Sequence, residues 1–351
     1  MRTRRVLVSG GGCYHVISRI AGQQYLMNAA EKDVLMRLMF NAAEFSGVEI
    51  LTFALMDNHF HLLVKVPVAR EVDDGELVGK MRVLYGDAKT DRILGDWAVW
   101  ARKGLSSKVV DAGSALRRRM FDLSQFCKTL KETYSMSYNY RHAHVGTIWG
   151  ARFKSILLSP DYRTLVTVGS YIDLNPVRAD VVKHPGRYRW SGYGTAVRGV
   201  TPSCNGLCAL AAAAGGKRGV PFSVALEMYE AAMEGYTGQP PEAAETSAAS
   251  KESQPVQRTS AQPRRFVSER VEAEIAAGAK LSLFEMLRCR VRYFSHGLAI
   301  GPASFVRGLA GTTTSPRDAS RRCDCCDEVD LYTARWLRGD DKVSVPKHRA
   351  A

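Results

Sequence analysis

A chain of 351 residues, 46% of them hydrophobic, is long enough for one sizeable domain and a second, smaller one. Its 49 Lys and Arg against 35 Asp and Glu leave a formal charge of +14, which favours a polyanionic partner because neutralising phosphates releases condensed counterions. No apolar run is long enough to span a bilayer, and Val6-Leu7-Val8 breaks into glycines too soon for a signal-peptide core, so a cytoplasmic protein with reduced cysteines is expected.

In chain order, Tyr14-His-Val-Ile-Ser-Arg19 reads as a short strand, rich in β-branched and aromatic residues. A helix follows, with Leu35, Leu38, Met39, Ala42 and Phe45 on one face and Gly47 as its stop. Two apolar stretches, Val48 to Met56 and Leu62 to Val66, are separated by Asp57-Asn58; that turn chemistry predicts adjacent strands, and Pro67 closes the second. Residues 70–120 read as an insertion carrying helices. From Leu123 to Arg141 the pattern is helical again, with Leu123, Phe126, Cys127, Leu130 and Tyr134 on a shared face. Ile148 to Leu158 reads as extended and carries Arg152 and Lys154. Ser159-Pro160 supplies an N-cap and first residue for a helix that stops at Asn175, since Pro176 follows. Val166, Thr167, Val168 and Gly169 weigh against that helix.

A helical extension over 196–237 leads into a stretch, 238–265, rich in Pro, Ala, Ser, Thr, Gln and Glu, which reads as a disordered linker. Beyond it, 266–351 reads as helical. Ser282-Leu-Phe-Glu285 has capping-box spacing and opens an amphipathic helix bearing Leu283, Leu287, Val291 and Phe294. Gly297 and Gly301-Pro302 then mark a turn before Phe305-Val306, a pattern that fits either a DNA-binding helix-turn-helix or an ordinary helical hairpin. The polar linker makes this tail read as separable, so that a chain ending near Gly238 keeps every candidate site residue. Cys204-x-x-x-Cys208 and Cys323-x-Cys325-Cys326 are zinc candidates that lack a second pair or histidines at finger spacing. There is no internal repeat.

His59-Phe60-His61 is the strongest local signal. On a strand the two imidazoles point the same way, here to a solvent-facing site, and two neutral imidazoles can hold a divalent cation. Taken alone, such a pair is more often a surface or packing feature. The surroundings change that balance. Ala54-Leu-Met-Asp-Asn-His59-Phe-His61-Leu-Leu-Val-Lys-Val-Pro67 resembles the histidine–hydrophobe–histidine strand of the single-tyrosine transposases. Tyr14 to Arg19 continues the resemblance upstream, and Gly150-Ala-Arg-Phe-Lys-Ser155 is similar to the family's basic Arg-Phe segment. Tyr171-Ile-Asp-Leu-Asn-Pro-Val-Arg178 resembles the tyrosine–asparagine–proline–valine signature of the branch associated with repetitive extragenic palindromes (REP). The four motifs stand in the family's order within residues 1–195.

The resemblance implies an α+β fold: a ferredoxin-like antiparallel sheet with helices on one side over 1–195, followed by a mainly helical C-terminal extension. It also implies single-stranded or hairpin DNA as substrate, with action as a monomer or a homodimer. It makes Tyr171 the catalytic nucleophile, and a phosphotyrosine intermediate follows. Tyr171 and Asn175 are four apart and share a helix face, so the Asn175 amide oxygen can join His59 and His61 as the third ligand to a divalent metal, Mg or Mn. Arg152, Lys154, Arg178, Arg187 and Arg189 are candidates for phosphate contacts, and Trp190 and Tyr193 for base stacking. Each assignment has a duller rival. Tyr171 is also a plausible core residue, Asn175-Pro176 is good helix-stop chemistry, and the basic residues suit a solvated face. Tyr138 and His142, with Tyr134 and Tyr140 nearby, form a reserve nucleophile and ligand at the same four-residue spacing. The rival functions are a DNA- or RNA-binding regulator without catalysis and a metal-dependent nuclease that uses water.

Overall fold

The structure is a computed structural model, and it describes residues 6, 8, 10–214, 219–237, 294–295, 297–310, 320–322 and 332–334. Its centre is a βαββαβ unit. Strand β1 (Gly12–Arg19) leads into helix α1 (Ala29–Ser46), then the hairpin β2 (Glu49–Leu55) and β3 (His59–Val66). Helices α2 (Asp74–Tyr85), α3 (Asp87–Arg102) and α4 (Ser106–Arg117) occupy the stretch read as an insertion and precede α5 (Leu123–His142) and β4 (Lys154–Leu158). The four strands lie in the order β2-β3-β1-β4 with every neighbour antiparallel, the ferredoxin-like arrangement. The fold class is α+β.

Local chemistry explains the boundaries. The Asn28 side chain accepts from the Glu31 amide at the start of α1, and Gly47, at φ 68°, ends it in the left-handed region. The hairpin turn is pinned from α1's side: Lys32 pairs with Asp57 at 2.6 Å, and the Met27 amide donates to the Asp57 carbonyl at 2.9 Å. Strand β3 begins at His59, so both histidines of the pair lie within the ladder, opposite Arg19 and Ile17 of β1.

Side chains alternate between two cores. Tyr14, Val16, Phe60, Leu62 and Val64 face α1 and α5. Cys13, Leu63, Ile156 and Leu158 face a second set of helices: α6 (Tyr162–Asp173), α8 (Gly192–Ala196), α9 (Thr201–Ala212) and α10 (Phe222–Thr237). The helices on one side are thus joined by others on the opposite face, and the histidine pair lies beneath that second layer. The short α7 (Asn175–Arg178) follows α6.

Two expectations are corrected here. The N-cap of α6 is Asp161, not Ser159; its carboxylate accepts from the Thr164 amide at 2.9 Å and hydroxyl at 2.7 Å, while the Ser159 amide is engaged with the Ile300 carbonyl at 2.9 Å. The region 266–351 also contains strands. β5 (Ala299–Gly301) pairs in parallel with β4, and β7 (Tyr332–Ala334) and β6 (Ser320–Arg322) extend the sheet beyond it. The Gly301-Pro302 turn opens a helix, α11 (Ala303–Ala310). The linker over 238–265, the capping box at Ser282 and the cysteines 323, 325 and 326 lie outside the described residues. No helix among the described residues is long and apolar enough to cross a membrane.

Candidate active site

Helix α6 carries Tyr171 across the sheet face that bears the histidines. Its C-terminal end is anchored by Asp173, which is wholly buried and accepts from the Thr52 hydroxyl (2.6 Å), the Tyr229 hydroxyl (2.6 Å) and the Tyr193 amide (2.9 Å). Burial pushes this carboxyl up to about 6, and its hydrogen bonds limit the rise. Gly169 allows the close approach of α10: a Cβ there would stand 2.9 Å from the Tyr229 hydroxyl.

The Tyr171 ring lies edge-on to two imidazoles, with centroids 6.0 Å from His15 and 6.1 Å from His61. The Arg178 guanidinium sits over the ring at 4.1 Å and donates to the Tyr171 carbonyl at 2.7 Å. On its other side the ring meets Phe294 at 4.7 Å. Tyr171 is only 1% exposed. Burial raises its phenol above the ordinary value, opposed by Arg178, by a hydrogen bond with Ser295 and by Arg19.

His59 and His61 stand 5.1 Å apart between centroids. His59 is half-buried, whereas His61 is 2% exposed, which corrects the expectation that both face solvent; α6 and the segment of Phe294 cover the strand. Burial, reinforced by the charges of Arg19 and Arg178, lowers His59 to about 3. Burial likewise holds His61 well below the ordinary histidine value. Both rings are therefore neutral, the state in which an imidazole binds metal. The Asn58 amide oxygen lies 2.6 Å from His59 Nδ1, while the Asn58 NH₂ donates to the Gln23 carbonyl at 3.3 Å. An oxygen acceptor at Nδ1 leaves Nε2 as the ring's lone-pair nitrogen.

This donor set fits a divalent cation as two imidazole ligands. Among the described residues no three His, Cys, Asp or Glu side chains form a metal-holding group, so remaining ligands would have to be amide, phosphate or water oxygens. Asn175 stands one helical turn beyond Tyr171. Its NH₂ donates to the carbonyls of Tyr171 (3.2 Å) and Ile172 (3.1 Å), capping the end of α6. The amide oxygen remains an acceptor, and no hydrogen bond or ring contact joins Asn175 to either histidine.

Of the basic candidates, Lys154 and Arg178 reach this centre. Lys154 Nζ donates to the Ser295 carbonyl at 2.5 Å, and burial lowers its ammonium from the ordinary lysine value. Arg152 is exposed on the approach to β4. Arg187, Arg189 and Trp190 are not brought to Tyr171. They run beside β2 at the sheet's edge, where Arg189 (2.7 Å) and the Trp190 indole (2.8 Å) both bond Asp33 of α1, against the other core. Tyr193 is buried and donates to Glu230 at 2.8 Å, so its ring is not free to stack. The reserve pair, Tyr138 and His142, also lies with the other core: the rings stack at 4.2 Å and His142 bonds Glu31 at 2.8 Å. Cys204 and Cys208 are half-buried thiols on α9.

Sequence reasoning missed His15, Arg19, Phe294 and Ser295. His15 and Arg19 occupy alternate positions of β1 on the histidine face, so a strand register drawn from residues 14–19 carried the signal. The last two come from a distant segment with no local sign of the site.

No protein-family model matches the sequence, and no curated protein does. Among solved structures six chains match. One, a REP-associated tyrosine transposase bound to a REP hairpin, has a TM-score of 0.36 and 16% identity, covering 58% of this chain and 89% of that one. A likeness of that extent carries no argument, and the site rests on its own geometry.

Proposed function

We propose that the chain cleaves and rejoins single-stranded hairpin DNA through a covalent bond to Tyr171. The observation that carries this reading is the enclosure of one tyrosine by neutral imidazoles and by the cations of Arg178 and Arg19, with Lys154 close to His15, a surrounding suited to a phosphodiester. His59 and His61, with an oxygen such as that of Asn175, would hold Mg²⁺ or Mn²⁺, which would polarise the scissile phosphate and offset its developing charge.

The step proper to this chain is nucleophilic. Tyr171 Oη bonds to phosphorus as the bond from phosphorus to O3′ breaks; the phenolic proton passes to solvent, and the departing oxygen takes one up. The products are a 5′-phosphotyrosine and a free 3′ hydroxyl. Attack by another 3′ hydroxyl reverses the exchange and joins strands without a nucleotide cofactor. Arg178, over the ring, favours the phenolate, and Lys154 supplies charge for the phosphate. Tyr171 is buried, so its cover has to open before a strand reaches Oη.

Tyr171→Phe removes one oxygen and keeps the ring packing. With end-labelled hairpin DNA, wild type is expected to give a protein-linked strand that survives denaturing electrophoresis, and the variant none. Full cleavage in excess chelator removes the metal from the reading. A second reading, a DNA-binding regulator without catalysis, is favoured by the burial of Tyr171 and its raised phenol. Tight hairpin binding by wild type with no adduct establishes that alternative; cleavage by both proteins without adduct points to a nuclease that uses water.

A further inference from the structure

Strand β1 brings a third histidine to the face that carries His59 and His61. His15 lies opposite Leu63, diagonally across the ladder from His61, and the two rings stack at 5.0 Å with planes 26° apart. His15 is wholly buried. Its Nδ1 is 2.9 Å from the carbonyl oxygen of Phe294, and its Nε2 is 2.8 Å from His61 Nδ1.

These contacts dictate where the protons sit. A carbonyl oxygen only accepts, so His15 Nδ1 carries the hydrogen. A neutral imidazole has one N–H, which leaves Nε2 of His15 as an acceptor. His61 Nδ1 must then be the donor, and the lone pair of His61 is confined to Nε2. The reverse arrangement would set a nitrogen lone pair against the Phe294 oxygen inside the protein, where an unmade hydrogen bond is costly. His59 reaches the same state separately, through Asn58.

We propose that His15 is a positioning residue which, linked to the Phe294 carbonyl on one side and His61 Nδ1 on the other, fixes the tautomer and ring orientation that present His61 Nε2 as a ligand. This rests on the reading of His61 as a metal ligand. Partners of this outer kind hold ligand imidazoles in one tautomer, and their loss weakens metal binding about 10–100-fold. The relay also makes a residue from beyond position 290 part of the geometry of a strand that ends at Val66.

The test uses the full-length, metal-free protein labelled with ¹⁵N at histidine, with two-bond ¹H–¹⁵N correlation to identify each tautomer, followed by Mn²⁺ titration. Wild-type His61 is expected as the Nδ1–H form. His15→Leu is expected to release His61 into a mixture of tautomers and to weaken Mn²⁺ binding about 10–100-fold. His15→Gln, which sets an amide oxygen where Nε2 stood, is expected to restore the Nδ1–H form and most of the affinity. An Nε2–H form of His61 in wild type overturns the proposal whether or not the variants fold. So does a folded His15→Leu that keeps both the tautomer and the affinity, or a folded His15→Gln no better than His15→Leu. If wild type shows the Nδ1–H form but binds no Mn²⁺, the reading of His61 as a ligand fails while the relay stands.

Discussion

Glu31 lies in the first turn of α1 and is 3% exposed, yet it accepts from Arg141 (2.6 Å), His142 (2.8 Å) and Tyr134 (3.1 Å), all on α5. Burial alone would raise its carboxyl; the hydrogen bonds from Arg141, His142 and Tyr134 outweigh it, and the net direction is down. A carboxyl whose folded value lies below its unfolded one contributes stability that is present above the unfolded value and is lost as pH falls through the folded one. Glu31→Gln is therefore expected to cost about 2 kcal/mol near neutral pH, and the gap to wild type should close below about pH 4. Urea midpoints across that range decide it; a gap independent of pH means the charge contributes nothing. The same residues show what sequence could and could not reveal. The pairing of His59 with His61 is legible because strand alternation is a local rule, whereas Tyr171 is singled out only by the resemblance to the transposases, and Lys154 and Arg178 only as basic residues near it in the sequence. Tyr138 with His142 has the same four-residue spacing as Tyr171 with Asn175, and only the fold shows that their face belongs to Glu31. Nearness in sequence to Tyr171 makes Trp190 and Arg189 candidates for the site, but the chain between them crosses to the sheet's edge.

At the scale of elements, the second helical layer depends on close contacts that side-chain periodicity does not register. Helix α9 lies against β2 where that strand bulges between Ile50 and Thr52. Gly206 faces the bulge, and a Cβ there would stand 2.5 Å from the Leu51 carbonyl oxygen and 2.6 Å from that of Ile50. Alanine would gain up to about 1 kcal/mol of helix propensity. The helix would have to retreat from two backbone oxygens, and overpacking of this kind typically costs about 1–3 kcal/mol. Gly206→Ala is thus expected to lower the thermal midpoint, and an unchanged or higher midpoint would show that α9 is free to shift. In the sequence this glycine stands between Cys204 and Cys208, whose spacing suggests metal ligands, and nothing local marks it as the residue that sets the packing. The α6 cap shows the same dependence on tertiary contacts. Ser159 is a good cap by propensity, but its amide bonds the Ile300 carbonyl of β5, so the helix starts only at Tyr162 and Asp161 caps it.

For the whole molecule, composition makes the region after residue 238 read as separable. The structure joins part of that region to both cores. Phe294 and Ile300 are fully buried with the Tyr171 layer, while Leu298, Val306 and Leu309 are buried with the layer of α1 and α5. The backbone is tied as well: the amides of Leu157 and Ser159 donate to the carbonyls of Leu298 and Ile300, each at 2.9 Å. A strand of three residues carries almost no periodic signal, which is why composition suggested only a tail beyond a linker. Burying a large apolar side chain contributes about 1.5–3 kcal/mol, so the loss of Phe294, Ile300, Val306 and Leu309 together is comparable with the roughly 5–15 kcal/mol net stability of an ordinary domain. A chain ending at Thr237 is accordingly expected to melt far below the full-length protein or to be insoluble, with an exposed β4 edge and an uncovered Tyr171. Adding residues 266–351 as a separate peptide should raise its melting temperature if the partly folded core survives. A truncated chain that melts with the full-length midpoint and an equally sharp transition would show that β5 and the segment of Phe294 only rest on a core complete without them.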